Sequence, residues 1–75
     1  MKTVGLILYT RRGCRLCDEA EDLLCGVPDL KCVDVDTSPE LIRRYGLRVP
    51  VLVSEGKVLI EGRFSEDAVA DLFGH

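Results

Sequence analysis

Tryptophan is absent from the chain, methionine and histidine occur once each, and two Phe and two Tyr are the only aromatic side chains. The single histidine is His75, the last residue, so a catalytic histidine is not expected. Long apolar runs are also missing. None approaches the ~20 residues of a membrane-spanning helix, and no membrane association is expected. Basic residues are outnumbered, 10 against 13 acidic ones, giving a net charge of −3 and a pI near 5.0. A general nucleic-acid binder is normally basic, so no nucleic-acid partner is expected either. Internal repeats, low-complexity tracts and linkers are lacking, and 75 residues suffice for one small core. A single domain over 1–75 is therefore expected. Met1-Lys2-Thr3 leads into an apolar segment without a small-residue cleavage signal, which reads as a first strand and makes a cytoplasmic location the default.

What the chain does have is cysteine, four in all, two of them in Gly13-Cys14-Arg15-Leu16-Cys17. Upstream, Val4 to Tyr9 is an apolar run of strand length. Downstream, Leu16, Ala20, Leu23 and Leu24 recur at helical spacing. The pair thus falls where a strand turns into a helix. Side chains three apart on a helix lie roughly 5 to 6 Å apart at Cβ, and a disulfide needs about 3.5 to 4.5 Å, so a small adjustment closes the ring. A helix start offers unpaired N–H groups and the positive end of the dipole, both favouring thiolate over thiol at Cys14. Arg11, Arg12 and Arg15 act in the same direction; Asp18 and Glu19 oppose them. Without a secretion signal, a C-x-x-C near a βα pattern reads as redox or metal chemistry rather than a structural staple.

The remaining elements follow in order. Thr3–Tyr9 is predicted as a central strand, Thr10 to Gly13 as a connection, and Cys14–Cys25 as a helix ended by Gly26 and Pro28. Leu30–Val35 is a second strand, parallel to the first because one helix separates them. Thr37-Ser38-Pro39-Glu40 starts a short helix, either with Thr37 and Glu40 as a capping box or with Ser38 capping and Pro39 at the first position. That helix ends at Gly46. Val49–Val53 and Lys57–Ile60 flank Ser54-Glu55-Gly56 as an antiparallel hairpin. Ser65 caps a last helix that carries Ala68, Val69, Leu72 and Phe73 and ends at Gly74. The expected order is βαβαββα, with the second helix on one face of a mixed sheet and the other two on the opposite face. Phe64, Phe73 and Tyr45 read as packing, and Asp34 and Asp36 as caps or surface charge.

A C-x-x-C opening the first helix of βαβαββα, with Val49-Pro50 leading into strand three, resembles the thioredoxin fold: α/β, a four-stranded mixed sheet flanked by three helices. Tyr9 through Cys17 looks like the active-site stretch of glutaredoxins. The runs Cys14 through Ala20 and Tyr45 through Pro50 are similar to those of short glutaredoxin-like proteins. The resemblance implies thiol–disulfide exchange, with Cys14 attacking and Cys17 resolving, and a cis bond before Pro50. The backbone of Val49 would pair with an extended peptide or glutathione. Arg11, Arg12, Arg15 and Arg48 would draw in an anionic partner, and Gly62 corresponds to the segment that holds a glutathione carboxylate. The chain departs from typical glutaredoxins at Arg15 and Leu16, which replace Pro and an aromatic residue, at Arg48, which replaces Thr, and at Gly62, where a second glycine is missing. Expected partners are disulfide-containing proteins and a dithiol reductant such as a thioredoxin reductase system, with glutathione as a co-substrate, no tightly bound cofactor, and a monomeric protein.

Two other functions stay open at this level: a metal or iron–sulfur carrier using Cys14, and a non-catalytic interaction domain. Cys14 and Cys25 are eleven residues apart, about 16 Å along a helix axis, so they cannot share one ion. Cys25 and Cys32 are read as packing residues, since buried free cysteine is a common small hydrophobe.

Overall fold

The computed structural model describes residues 5–73. Thr3 and Val4, Gly74 as a helix end, and His75 lie outside that range. Four strands form one mixed sheet in the order β2-β1-β3-β4. β1 (Leu6–Thr10) runs parallel to β2 (Lys31–Asp34) and antiparallel to β3 (Val51–Ser54), which pairs antiparallel with β4 (Lys57–Glu61). The helices are α1 (Arg15–Leu23), α2 (Pro39–Tyr45) and α3 (Glu66–Phe73). The order βαβαββα stands as expected.

Alternation along the central strands decides which helix goes where. Leu6 and Leu8 of β1 and Leu52 of β3 pack with Ala20 and Leu24 of the α1 region and with Phe64, against which Val69, Leu72 and Phe73 also lie. Val51 and Val53 point the other way and pack with Val35 and Tyr45, together with Tyr9, Leu41 and Val49. Both faces of the sheet are therefore covered, α1 and α3 on one side and α2 on the other. Leu8, Leu24 and Leu52 are almost wholly withdrawn from water, a burial that contributes roughly 1.5–3 kcal/mol per side chain.

Element ends differ from the sequence reading for local reasons. β1 continues through Thr10, because Thr10 still pairs with Asp34. The first helix begins at Arg15 with Cys14 as its N-cap and closes at Leu23 rather than Cys25. Its last turn tightens, the Leu24 N–H reaching both Ala20 and Glu21 and the Cys25 N–H reaching Asp22. β2 stops at Asp34 because Val35–Thr37 wind into a 3-10 turn. Asp34 caps that turn, its Oδ1 accepting from the Asp36 N–H at 2.9 Å, while the Thr37 hydroxyl donates to the Asp34 carbonyl at 2.7 Å. Of the two predicted starts the second gives the right position, with Ser38 at the N-cap and Pro39 the first residue of α2, but the Ser38 side chain makes no capping hydrogen bond. Val49 and Pro50 precede β3 instead of belonging to it. Glu55 (φ 51°) and Gly56 (φ 81°) make the hairpin turn, with both φ values positive as a type I′ connection requires. Ser65 caps α3, its Oγ accepting from the Ala68 N–H at 3.1 Å.

The reading of Cys25 and Cys32 as packing residues is corrected: both are exposed free thiols. Cys25 lies past the end of α1, and Cys32 sits on β2, an edge strand whose first two residues face water.

Candidate functional site

Strand register gathers the site. Tyr9 is opposite Val51, Thr10 opposite Asp34, and Val51 opposite Glu61. The end of β1, the end of β2, the start of β3 and the end of β4 therefore share one edge of the sheet. From that edge emerge the Arg11–Cys14 loop, the 3-10 turn with Asp36, the Val49-Pro50 peptide, and Gly62.

Cys14 and Cys17 form a disulfide, their Cα atoms 5.2 Å apart. Gly13, at φ +72°, turns the chain out of the loop so that Cys14 (φ −101°, ψ 107°) can take the cap position. Its sulfur does what a capping oxygen normally does: it accepts the Cys17 N–H at 3.1 Å, and the Cys14 carbonyl accepts the Asp18 N–H at 3.2 Å. Cys14 is half-buried, whereas Cys17 is 1% exposed. Cys14 keeps part of its surface in water, and Cys17 keeps almost none.

Val49 and Pro50 lead into β3 at the same edge of the sheet. The Val49–Pro50 bond is cis, as the resemblance implied. Pro50 is buried, and its carbonyl accepts the Gly62 N–H at 2.9 Å. The Val49 N–H is already bonded to the Tyr45 carbonyl at 2.9 Å. The Val49 N–H and the Gly62 N–H are thus both engaged within the fold.

The arginines divide. Arg11 Nε donates to Asp36 Oδ1 at 3.1 Å and its Nη1 to the Gly46 carbonyl at 3.3 Å, tying the loop before Cys14 to the end of α2. Arg12 is 96% exposed and only 3.9 Å from Asp34. Arg48 donates from Nε to Glu61 and from Nη1 to the Arg44 carbonyl, and lies 5.7 Å above the Tyr45 ring. Its hydrogen bond holds the Glu61 carboxyl below the usual carboxylate range, and the same bond pushes Arg48 up. Arg15, exposed on the first turn of α1, has no ion pair among the described residues. A uniformly free cationic rim is thus not what the fold builds: three of the four positive charges have acidic neighbours.

Sequence reasoning missed Asp36 and Glu61 as the partners that fix Arg11 and Arg48. It also missed the stacking of Tyr9 on Tyr45, with ring centroids 4.5 Å apart. All of these depend on register between strands distant in sequence, and no local pattern announces them. Among the described residues no group of three or more His, Cys, Asp or Glu could hold a metal ion. Likewise no helix is long and apolar enough to cross a membrane.

A βαβαββα chain with a disulfide at the start of its first helix and a cis-proline before β3 defines the thioredoxin/glutaredoxin fold class. Residues 5–74 match the family described as Glutaredoxin-like domain (DUF836), and the chain belongs to that family. It is similar to the X-ray structure of protein XcR50, a structural-genomics target from X. campestris. The two share 32% identity over 93% of this chain and 96% of the other, with a TM-score of 0.81. Similarity extends to the solution structure of protein Ne2328 from Nitrosomonas europaea, at 29% identity over 96% and 93% of the two chains and a TM-score of 0.74. The holo form of glutaredoxin C1 from populus tremula x tremuloides shares the fold, with a TM-score of 0.55 at 20% identity over 92% and 73%. No curated protein matches the sequence. Family and geometry together are consistent with a redox role for the Cys14–Cys17 pair.

Proposed function

We propose that the protein is a thiol–disulfide oxidoreductase acting on disulfides of other proteins through Cys14 and Cys17. The observation that carries this reading is the asymmetry of the pair: a half-buried Cys14 whose sulfur receives the Cys17 N–H at 3.1 Å, joined to a Cys17 that is 1% exposed. In the reduced protein the same N–H and the helix start favour the Cys14 thiolate. That thiolate attacks one sulfur of a substrate disulfide, forming a mixed disulfide and expelling the other sulfur as a thiolate. The Cys17 thiolate then attacks Cys14 Sγ, forming the Cys14–Cys17 disulfide and expelling the second substrate thiolate. Two electrons pass from the dithiol to the substrate, and an external dithiol, such as a thioredoxin reductase system, restores them. Arg11 holds the loop before Cys14, and the Val49 carbonyl beside Pro50 supplies one backbone acceptor to an extended substrate segment. The chemistry needs no tightly bound cofactor, and it suits a reducing, cytoplasmic setting and a monomeric protein.

The test is to trap partners with Cys17→Ser. Without the resolving sulfur, mixed disulfides at Cys14 should accumulate from cell extract and disappear on reduction. Recovery of no adduct at Cys14, with the variant folded, would remove the case for catalysis.

A further inference from the structure

The helices on the two faces of the sheet differ in charge. On one face α1 and α3 present a single arginine against seven carboxylates. On the other, α2 and the turn after it hold Arg43, Arg44 and Arg48 against Glu40 alone. Helical hydrogen bonding continues past the end of α2, with the Val49 N–H reaching the Tyr45 carbonyl and the Gly46 N–H reaching Ile42. Arg48 donates to the Arg44 carbonyl across this turn at 3.3 Å, and Leu47 immediately precedes Arg48 on it. Leu47 is 100% exposed and Ile42 is 37% exposed. A fully solvated leucine between arginines, two residues before Val49, is unexplained by the core, which it does not touch.

We propose that Ile42, Arg43, Arg44, Leu47 and Arg48 form a docking surface for the protein whose disulfide is reduced. The segment it fits carries carboxylates and one large apolar side chain close to its cysteine. This inference rests on the oxidoreductase reading for its biological meaning, though not for its binding chemistry. Charge selects the occupant. Glu40 and Glu61 answer Arg44 and Arg48, while Arg43 has no ion pair among the described residues, so an incoming carboxylate meets a net positive patch on an otherwise acidic protein. Two-fold pairing of the patch with a second copy would set arginines against arginines. Leu47 supplies what a charged rim alone lacks, an apolar anchor that loses its water on contact.

The experiment compares three short peptides, each carrying one cysteine in mixed disulfide with a chromophoric thiol: acidic flanks with a leucine, acidic flanks with a serine, and lysine flanks with a leucine. Single-turnover rates with the reduced protein are divided by the rate for a small uncharged disulfide. The acidic leucine peptide should be preferred, and the ratio should fall about fivefold or more in Leu47→Ser and in Arg43→Glu. Anisotropy of the same peptides with serine in place of cysteine, added to the oxidised protein, reads docking without chemistry. Equal ratios for all three peptides, or equal binding by wild type and both variants, would overturn the docking surface. Failure to reduce the small disulfide would instead overturn the oxidoreductase reading and leave the binding measurement to decide this one. Sedimentation showing a dimer that Leu47→Ser dissolves would give the patch to a second copy and overturn the proposal.

Discussion

The two ends of α1 hold the same element, sulfur, in opposite circumstances. At the N-terminal end Cys14 caps the helix, takes an N–H at 3.1 Å, and is bonded to a cysteine sealed from water. Past the C-terminal end Cys25 is an exposed thiol, and Cys32 on the neighbouring edge strand is another, with the Glu21 carboxylate close enough to act on it. Although the residue as a whole is exposed, partial withdrawal of its thiol from water first, and that carboxylate second, push the Cys32 thiol up. The difference teaches that cysteine count says little about reactivity. A helix start gives a sulfur donors and positive potential, whereas the far end gives it carbonyls and, in this chain, acids.

The strongest way to break this comparison is to exchange the sulfurs for oxygen. Cys14→Ser should bring disulfide reduction down to background, because the thiolate is the nucleophile. The double variant Cys25→Ser, Cys32→Ser should keep the rate within about twofold, since exposed surface substitutions rarely disturb a fold. Activity surviving in Cys14→Ser would move the chemistry to the other end of the helix.

A second measurement asks what the reactive end accepts. Glutathione should serve less well than a dithiol protein reductant. The Gly62 N–H is committed to Pro50, the Val49 N–H to Tyr45, and α3, which follows the segment that the resemblance assigns to a glutathione carboxylate, begins with the acidic Glu66 and Asp67. A disadvantage of about fivefold or more corresponds to roughly 1 kcal/mol. Comparing turnover driven by glutathione and its reductase with turnover driven by thioredoxin reductase checks this; a clear preference for glutathione would show that the start of α3 is no obstacle.

The third effect is smaller and sharpens the inert end. Alkylation of Cys32 near neutral pH, read by peptide mapping, should be slower than that of an unstructured cysteine peptide. Glu21→Gln should raise the rate about twofold, a modest gain because a single exposed charge is screened by water and salt and burial is the larger cause. An unchanged rate in Glu21→Gln would remove the carboxylate from the account.

How much of this was legible in the sequence follows from the range of the interactions. The C-x-x-C, the Ser65 cap, the Pro39 helix start and the Glu55-Gly56 turn are set by neighbours a few residues apart, and each stands where local chemistry puts it. The βαβαββα order followed from those signals and from apolar periodicity. What local pattern could not carry was competition between distant groups. Thr37 looked like half of a capping box, but its hydroxyl is taken by Asp34. Cys32 looked buried because Leu30, Val33 and Val35 surround it in sequence, yet the strand lies at the sheet edge. Arg11 and Arg48 looked free because Asp36 and Glu61 are 25 and 13 residues away.

The smallest expected effect concerns the tie that pins the turn carrying Arg48 and Val49 onto β4, at the edge of the sheet from which the Arg11–Cys14 loop emerges. Arg48 reaches Glu61 from one side, the Arg44 carbonyl from another and the Tyr45 ring from beneath. Glu61 sits below its ordinary range when folded, chiefly through the Arg48 hydrogen bond. A carboxyl whose folded pKa is lowered binds its proton more readily in the unfolded chain. Its contribution to stability is therefore fully present above the unfolded value, about 4.3 for Glu, and is lost as pH falls through the lower folded value. Arg48 stays charged throughout that range and cannot be the group that titrates. Denaturant midpoints of wild type and Glu61→Gln should differ near pH 7, with the wild type more stable, and the gap should close in acid. Both side chains are nearly half exposed, so the gap is small and should shrink further at about 1 M salt, where screening acts within ~3 Å. A gap that holds constant from neutral to acid pH would mean that Glu61 acts through packing rather than charge, and that the turn is held by Tyr45 and the Arg44 carbonyl alone.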